Sequence, residues 1–134
     1  MKFMTQEEKD LVIKDLCGRL PYMVKVDHFG TVKELLGIMP SSEIVMVGYD
    51  INDYEDSVIE DIKPYLRLWT SMTEKEIKEI QTILGGAFAD TETYTISILG
   101  TQVLFKYLNK KMIDYRGLIE KGLALEAPKD MYNN

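Results

Sequence analysis

The chain has 134 residues, 46% of them hydrophobic, with one cysteine, one histidine and a formal net charge of -6. That length is the common size of a single domain, 1–134, able to bury a real core. The lone cysteine excludes an internal disulfide, lone Cys17 and His28 exclude a Cys- or His-rich zinc module, and the acidic balance disfavours duplex nucleic acid, whose affinity comes mostly from phosphate neutralisation.

Met1 to Glu8 lacks the apolar core of a signal peptide and leads directly into a charged helix. Thr5 with Glu8 forms a capping box, and Ile13, Leu16, Cys17 and Leu20 recur at helical spacing, with Lys9, Asp10, Lys14 and Asp15 mostly turned away. The helix is expected to end near Gly18 or Arg19, ahead of Pro21. Placed on its apolar face, Cys17 is expected to be a buried, unreactive thiol. From Tyr22 the period changes to two. Tyr22–Asp27, Val32–Met39 and Glu43–Tyr49 read as strands, with turns at His28–Thr31 and Pro40–Ser42. Asp50–Asp56 reads as an acidic loop and Ser57–Ile62 as a fourth strand. The four form an antiparallel meander, or an SH3-like partial barrel if the strands curl closed.

Pro64 biases Lys63 toward extended backbone and cannot donate to a ladder, so the strand is expected to leave the sheet at Ile62. The aromatic segment Tyr65–Trp69 then links a helix-plus-meander half, 1–69, to an α+β half, 70–134. Thr73 with Glu76, or Ser71 with Glu74, caps a second helix carrying Ile77, Ile80, Ile83 and Leu84 on one face, stopped by Gly85-Gly86. Thr91–Leu99 alternates as a strand. Thr101 caps a third helix whose Leu104, Tyr107, Leu108 and Met112 share a face, with Lys110 and Lys111 in its last turn. The most apolar window, Tyr94–Leu108, is too short for the roughly 20 residues of a membrane span. Leu118, Ile119, Leu123, Ala124, Leu125 and Ala127 form an apolar arm expected to pack back on the domain, whereas Pro128–Asn134 is expected to fray. The whole reads as an α+β cytoplasmic protein without a membrane segment or cofactor, and leaves its oligomeric state open.

Lys63–Arg67 with Ser71–Thr73, Asp114–Ile119, Gly122–Pro128 and Leu16–Tyr22 resemble a family of small uncharacterised proteins of gut Bacteroides and relatives, often found near prophages or other mobile elements. The resemblance spans most of the chain and is weakest between Gly85 and Gly100. It implies no activity. Leu68 stands where the family commonly has a proline, and Lys111-Met112-Ile113 where it has His-His-Phe, so no site is carried over.

Candidate chemistry is sparse. Asp50, Asn52, Asp53, Glu55, Asp56, Glu60 and Asp61 are hard oxygen donors, but Tyr54, Glu55 and Asp61 break the EF-hand pattern. A metal-dependent hydrolase on Asp50–Asp61 is one alternative, with no residue singled out as a metal ligand. His28, in a Phe-Gly turn, reads as a surface residue. Lys106, Lys110, Lys111 and Arg116, near Tyr107 and Tyr115, form the only basic cluster and suggest a second alternative, single-stranded nucleic-acid binding. Tyr65, Arg67, Trp69, Asp114, Tyr115 and Arg116 are the candidate binding residues, because aromatics and arginine dominate interface hot spots. Their structural alternative is a seam in which Arg67 or Arg116 pairs with Asp114 or Glu126. The favoured function is a non-enzymatic accessory protein that binds an unknown protein partner.

Overall fold

The computed structural model describes residues 4–87 and 98–132, for 84–87 and 98–101 as backbone only. It shows a mixed α+β fold. Helix α1 spans Gln6–Arg19, and the Thr5–Glu8 capping box is formed. The strands are β1 (Lys25–His28), β2 (Thr31–Met39), β3 (Ile44–Asp50), β4 (Asp53–Val58) and β5 (Ile62–Leu66). Helices α2 (Glu74–Ala87) and α3 (Ile98–Lys110) follow, then a short β6 (Leu125–Glu126). The six strands order as β4-β3-β2-β1-β5-β6. All pairings are antiparallel except β5 with β6, so the expected meander is present as β1 to β4. The sheet is open, with β4 and β6 at its edges, and its pairing does not close a barrel.

The core follows from alternation. Val24, Val26, Leu35, Val45 and Val47 point to one face and meet Val12 and Leu16 of α1, while Ile59, Ile62, Leu66, Met112, Leu118, Leu123 and Ala124 extend the same cluster. One core thus draws on both halves of the chain. The apolar arm packs back as expected, because burying Leu118, Leu123 and Ala124 removes apolar area from water at about 25 cal/mol per Å².

Several boundaries differ from the sequence reading. Asp53–Asp56 belongs to β4, since the Ile51-Asn52 turn needs only two residues and Asn52 N–H is held by Asp50 Oδ1 at 2.7 Å. Val58 ends β4, and a 3-10 turn at Ile59–Asp61 separates it from β5. Pro64 lies inside β5, buried and opposite Val26, and not beyond its end. Its missing N–H is tolerated where β6 has not yet begun, because the parallel pairing starts one residue later at Tyr65↔Leu125. Helix α2 continues through Gly85 and Gly86 to Ala87, and α3 starts at Ile98, ahead of Thr101. The expected strand Thr91–Leu99 lies outside the described residues up to position 97, and its last two residues are helical.

Two further corrections concern α1 and the C-terminal arm. Cys17 is exposed, not buried. Asp15, expected to face solvent, is fully buried with Arg19, which donates to it from Nε (2.8 Å) and Nη2 (3.0 Å) and to Ile113 O from Nη2 (2.8 Å). Arg116 Nη1 reaches the same carboxylate at 3.2 Å, and both guanidinium groups lie over the Tyr115 ring. Instead of fraying, the arm is docked as far as Tyr132, whose hydroxyl accepts from Lys25 N–H (2.8 Å) and donates to Tyr65 O (2.7 Å). That hydroxyl bridges β1 and β5 where their direct pairing stops at Val26↔Pro64.

The Asp15 cluster is a clamp between α1 and the C-terminal half. Asp15→Ala leaves two guanidinium groups without their carboxylate, one of them wholly buried, so a destabilisation of about 3–5 kcal/mol is expected from chemical denaturation. A loss below about 1 kcal/mol, the value of an exposed pair, would show that the clamp is idle.

Candidate functional site

The site grows from the place where β5 leaves the sheet. Arg67 N–H donates to Met112 O (2.7 Å) and Asp114 N–H donates to Arg67 O (2.8 Å), so the backbone beyond β5 is tied to the chain following α3. The next residues turn through Trp69–Ser71 into α2. Of the two possible caps the Thr73–Glu76 box is formed: Glu76 N–H donates to Thr73 Oγ1 (3.1 Å) and Thr73 N–H to Glu76 Oε1 (3.0 Å). The same carboxylate receives both terminal nitrogens of Arg67, Nη1 at 2.8 Å and Nη2 at 2.6 Å, a bidentate charge-assisted pair. Arg67 also donates from Nε to Ser71 Oγ (3.2 Å), from Nη2 to Ser71 O (3.1 Å) and from Nη1 to Lys111 O (3.4 Å).

Beside this node a cleft of about 450 Å³ opens between the first turns of α2, Arg67 and the arm. Lys75, Glu76 and Glu79 form one wall, Lys111 lies at the end of α3, and Glu126, Lys129, Asp130 and Tyr132 form the other. Hydrogen bonding from Arg67 holds the Glu76 carboxyl down to about 2 against the opposing effect of burial, with the Thr73 bonds adding to it. The Tyr107 hydroxyl donates to Glu79 Oε2 at 2.7 Å and is pushed up, first by burial and then by that carboxylate.

The structure brings together only part of the candidate binding set. Tyr65 is half-buried, with its carbonyl bonded to Tyr132. Arg67 lines the cleft with its donors engaged. Trp69 is 49% exposed. Asp114 is buried and accepts from Leu118 N–H (2.8 Å) and Ile119 N–H (2.9 Å), fixing the turn that starts the arm. Tyr115 donates to Asn109 Oδ1 at 2.9 Å, and Arg116 bonds Asp15. The expected pairs of Arg67 or Arg116 with Asp114 or Glu126 are therefore replaced by Arg67–Glu76 and Arg116–Asp15. Glu76, Glu79 and Tyr132 were missed as site residues. The capping box marked Glu76, but no local signal shows that its second acceptor role is toward Arg67 nine positions earlier.

The other candidates separate. Asp53, Glu55 and Asp56 lie along a strand, so Glu55 points to the face opposite that of Asp56, and Glu55 is engaged by Lys33 Nζ at 2.7 Å. Among the described residues no group of three or more His, Cys, Asp or Glu is placed to hold a metal ion. His28 is buried at the end of β1, not on the surface, with Nδ1 3.0 Å from Lys33 Nζ and 3.3 Å from Glu55 Oε1. In the basic cluster, Lys106 and Lys110 are exposed, Lys111 Nζ lies 5.9 Å from the Tyr107 ring centroid, and Arg116 is held by Asp15. No described helix is long and apolar enough to cross a membrane. Comparison of the chain with family models, with curated proteins and with solved structures finds no match.

The Glu76 pairing sets a pH dependence. A carboxyl held at about 2 when folded and near 4.5 otherwise stabilises the fold fully above pH 4.5, and that contribution fades as pH falls toward 2. Glu76→Gln is expected to lower stability at pH 7 by roughly 2–3 kcal/mol, with the gap from wild type closing between pH 4.5 and 2. Equal gaps at pH 7 and pH 2.5 would assign the loss to packing.

Proposed function

We propose that the chain is a non-enzymatic accessory protein that acts in the cytoplasm through protein contacts, with the cleft beside Arg67 and the Trp69 ring as its contact surface. The observation that carries this reading is the half-exposed indole of Trp69, two residues along the chain from Arg67 and Ser71, which line a cleft with both signs of charge in its walls. A tryptophan left in water beside a concave, charged surface has the chemistry of an interface anchor surrounded by a polar rim. Inside the cleft Glu76 is moved down, by its bonds to Arg67, and Tyr132 up, by burial, both away from neutrality, which supports a non-catalytic role. Proton-transfer catalysis needs the reverse. The family resemblance adds the context of a prophage or other mobile element. An SH3-like curl of the meander belongs to the same proposal, and the register shifts at Leu35/Gly37 and Gly48/Asp50 are the kind of irregularity that bends a sheet.

Affinity capture with the immobilised chain from a Bacteroides lysate, with and without induced phage, tests this. Wild type is expected to retain a discrete partner that Trp69→Ala loses by tenfold or more, with the thermal midpoint unchanged. Retention of the same proteins by both, or of none, refutes the cleft as the contact surface.

A further inference from the structure

The meander places two hairpin turns at the same end of the sheet. Phe29-Gly30 joins β1 to β2, and Ile51-Asn52 joins β3 to β4. They are linked through Lys33, which lies within 3.0 Å of His28 Nδ1 and donates to Glu55 Oε1 at 2.7 Å. This end concentrates apolar side chains in water. Ile51 is 80% exposed and Phe29 73%, with Val32, Tyr49 and Tyr54 also exposed.

Phe29 is out of place by two criteria. Its φ of +53° and the +86° of Gly30 form a turn with both central residues left-handed, a geometry that favours Asn-Gly, Asp-Gly or Gly-Gly and disfavours a bulky side chain. Its ring, tilted on His28 with centroids 4.5 Å apart, is otherwise largely in solvent.

Near the Ile51-Asn52 turn, a cavity of about 200 Å³ is lined by Lys33, Tyr49, Asp53, Tyr54 and Glu55 among others. Drug-sized ligands occupy pockets from about 300 Å³ upward, so this one suits a single long side chain. Gly48 also lines it, and a Cβ there would meet Asp53 O at 2.2 Å, so β3 and β4 approach closely at this point. Tyrosine faces and carboxylates together recognise a guanidinium or ammonium group. Within 27–34 and 47–56 the charged residues are Asp27, Glu34, Asp50, Asp53, Glu55 and Asp56 against Lys33 alone. That excess of negative charge complements a basic partner and opposes approach to an anionic bilayer.

We propose that this end of the sheet docks a basic, apolar-flanked segment of a partner protein, with one arginine or lysine side chain in the cavity and its apolar neighbours against Phe29 and Ile51. The surface is separate from the Arg67 cleft, so Trp69→Ala leaves this binding unchanged, and failure of either surface leaves the other standing.

The test is an amide NMR titration of the full chain with the synthetic peptide KLRLK and its charge-reversed counterpart ELELE. Saturable shifts confined to residues 28–33 and 48–55 are expected with KLRLK only, weakening as salt is raised. Asp53→Lys and Phe29→Asn should each weaken binding by about tenfold or more, as for loss of an anchor, while Phe29→Asn raises the thermal midpoint. The proposal is overturned by shifts elsewhere or none, by equal binding of ELELE, or by a lowered midpoint in Phe29→Asn, which would show that the ring serves the fold. Uptake by phosphatidylserine vesicles through the same residues would also overturn it, assigning the end to a bilayer.

Discussion

Arg67 is the constraint on which the second half of the molecule depends. Its backbone is tied on both sides to the chain after α3, and its guanidinium joins the first turn of α2, the turn before it and the Lys111 carbonyl just beyond α3. Three segments are thereby joined by one planar, permanently charged group. Lysine could not replace it, because a point charge cannot meet a carboxylate with two parallel donors while also reaching two carbonyls and a hydroxyl. The cleft exists because Arg67 keeps α2 at this distance from the arm, and the same bonds leave Arg67 no further role in recognition.

Asp15, Arg19, Arg116 and Tyr115 do for the first helix what Arg67 does for the second. A single carboxylate serves two guanidinium groups that also lie over one aromatic ring, so the N-terminal helix is bound to the C-terminal half by polar contacts at the margin of the apolar core. Tyr132 completes the arrangement, its hydroxyl serving two strands where their own ladder ends. The helices are thus fixed to the sheet by directional bonds as much as by burial. At one end of the meander Phe29 and Ile51 are left exposed, with no described element covering them.

The two surfaces differ in chemistry. The cleft has a balanced lining, Arg67, Lys75, Lys111 and Lys129 against Glu76, Glu79, Glu126 and Asp130, with Arg67 and Glu76 bonded to each other. The hairpin end is acidic, with the exposed side chains of Phe29 and Ile51 near a small cavity.

Much of this was legible from local pattern. Period-two alternation located β1 to β3, the Thr5–Glu8 and Thr73–Glu76 boxes located two helix starts, and apolar content pointed to an arm packed on the domain, of which Leu118, Leu123 and Ala124 are buried. These are decisions within one or two turns of chain, where propensity and capping act. Distant partners decided what the pattern could not. Asp15 read as solvent-facing because a helical wheel does not know that Arg19, four residues on, and Arg116, a hundred residues later, converge on it. Pro64 read as a strand end because its missing donor is harmless only where the neighbouring strand has not begun, and that position is set by β6 sixty residues downstream. The charge and apolar content of 1–134 determined a folded α+β chain with an acidic first half; which charges became struts and which remained at the surface was decided by tertiary packing, since a carboxylate's role depends on the cation that reaches it through space.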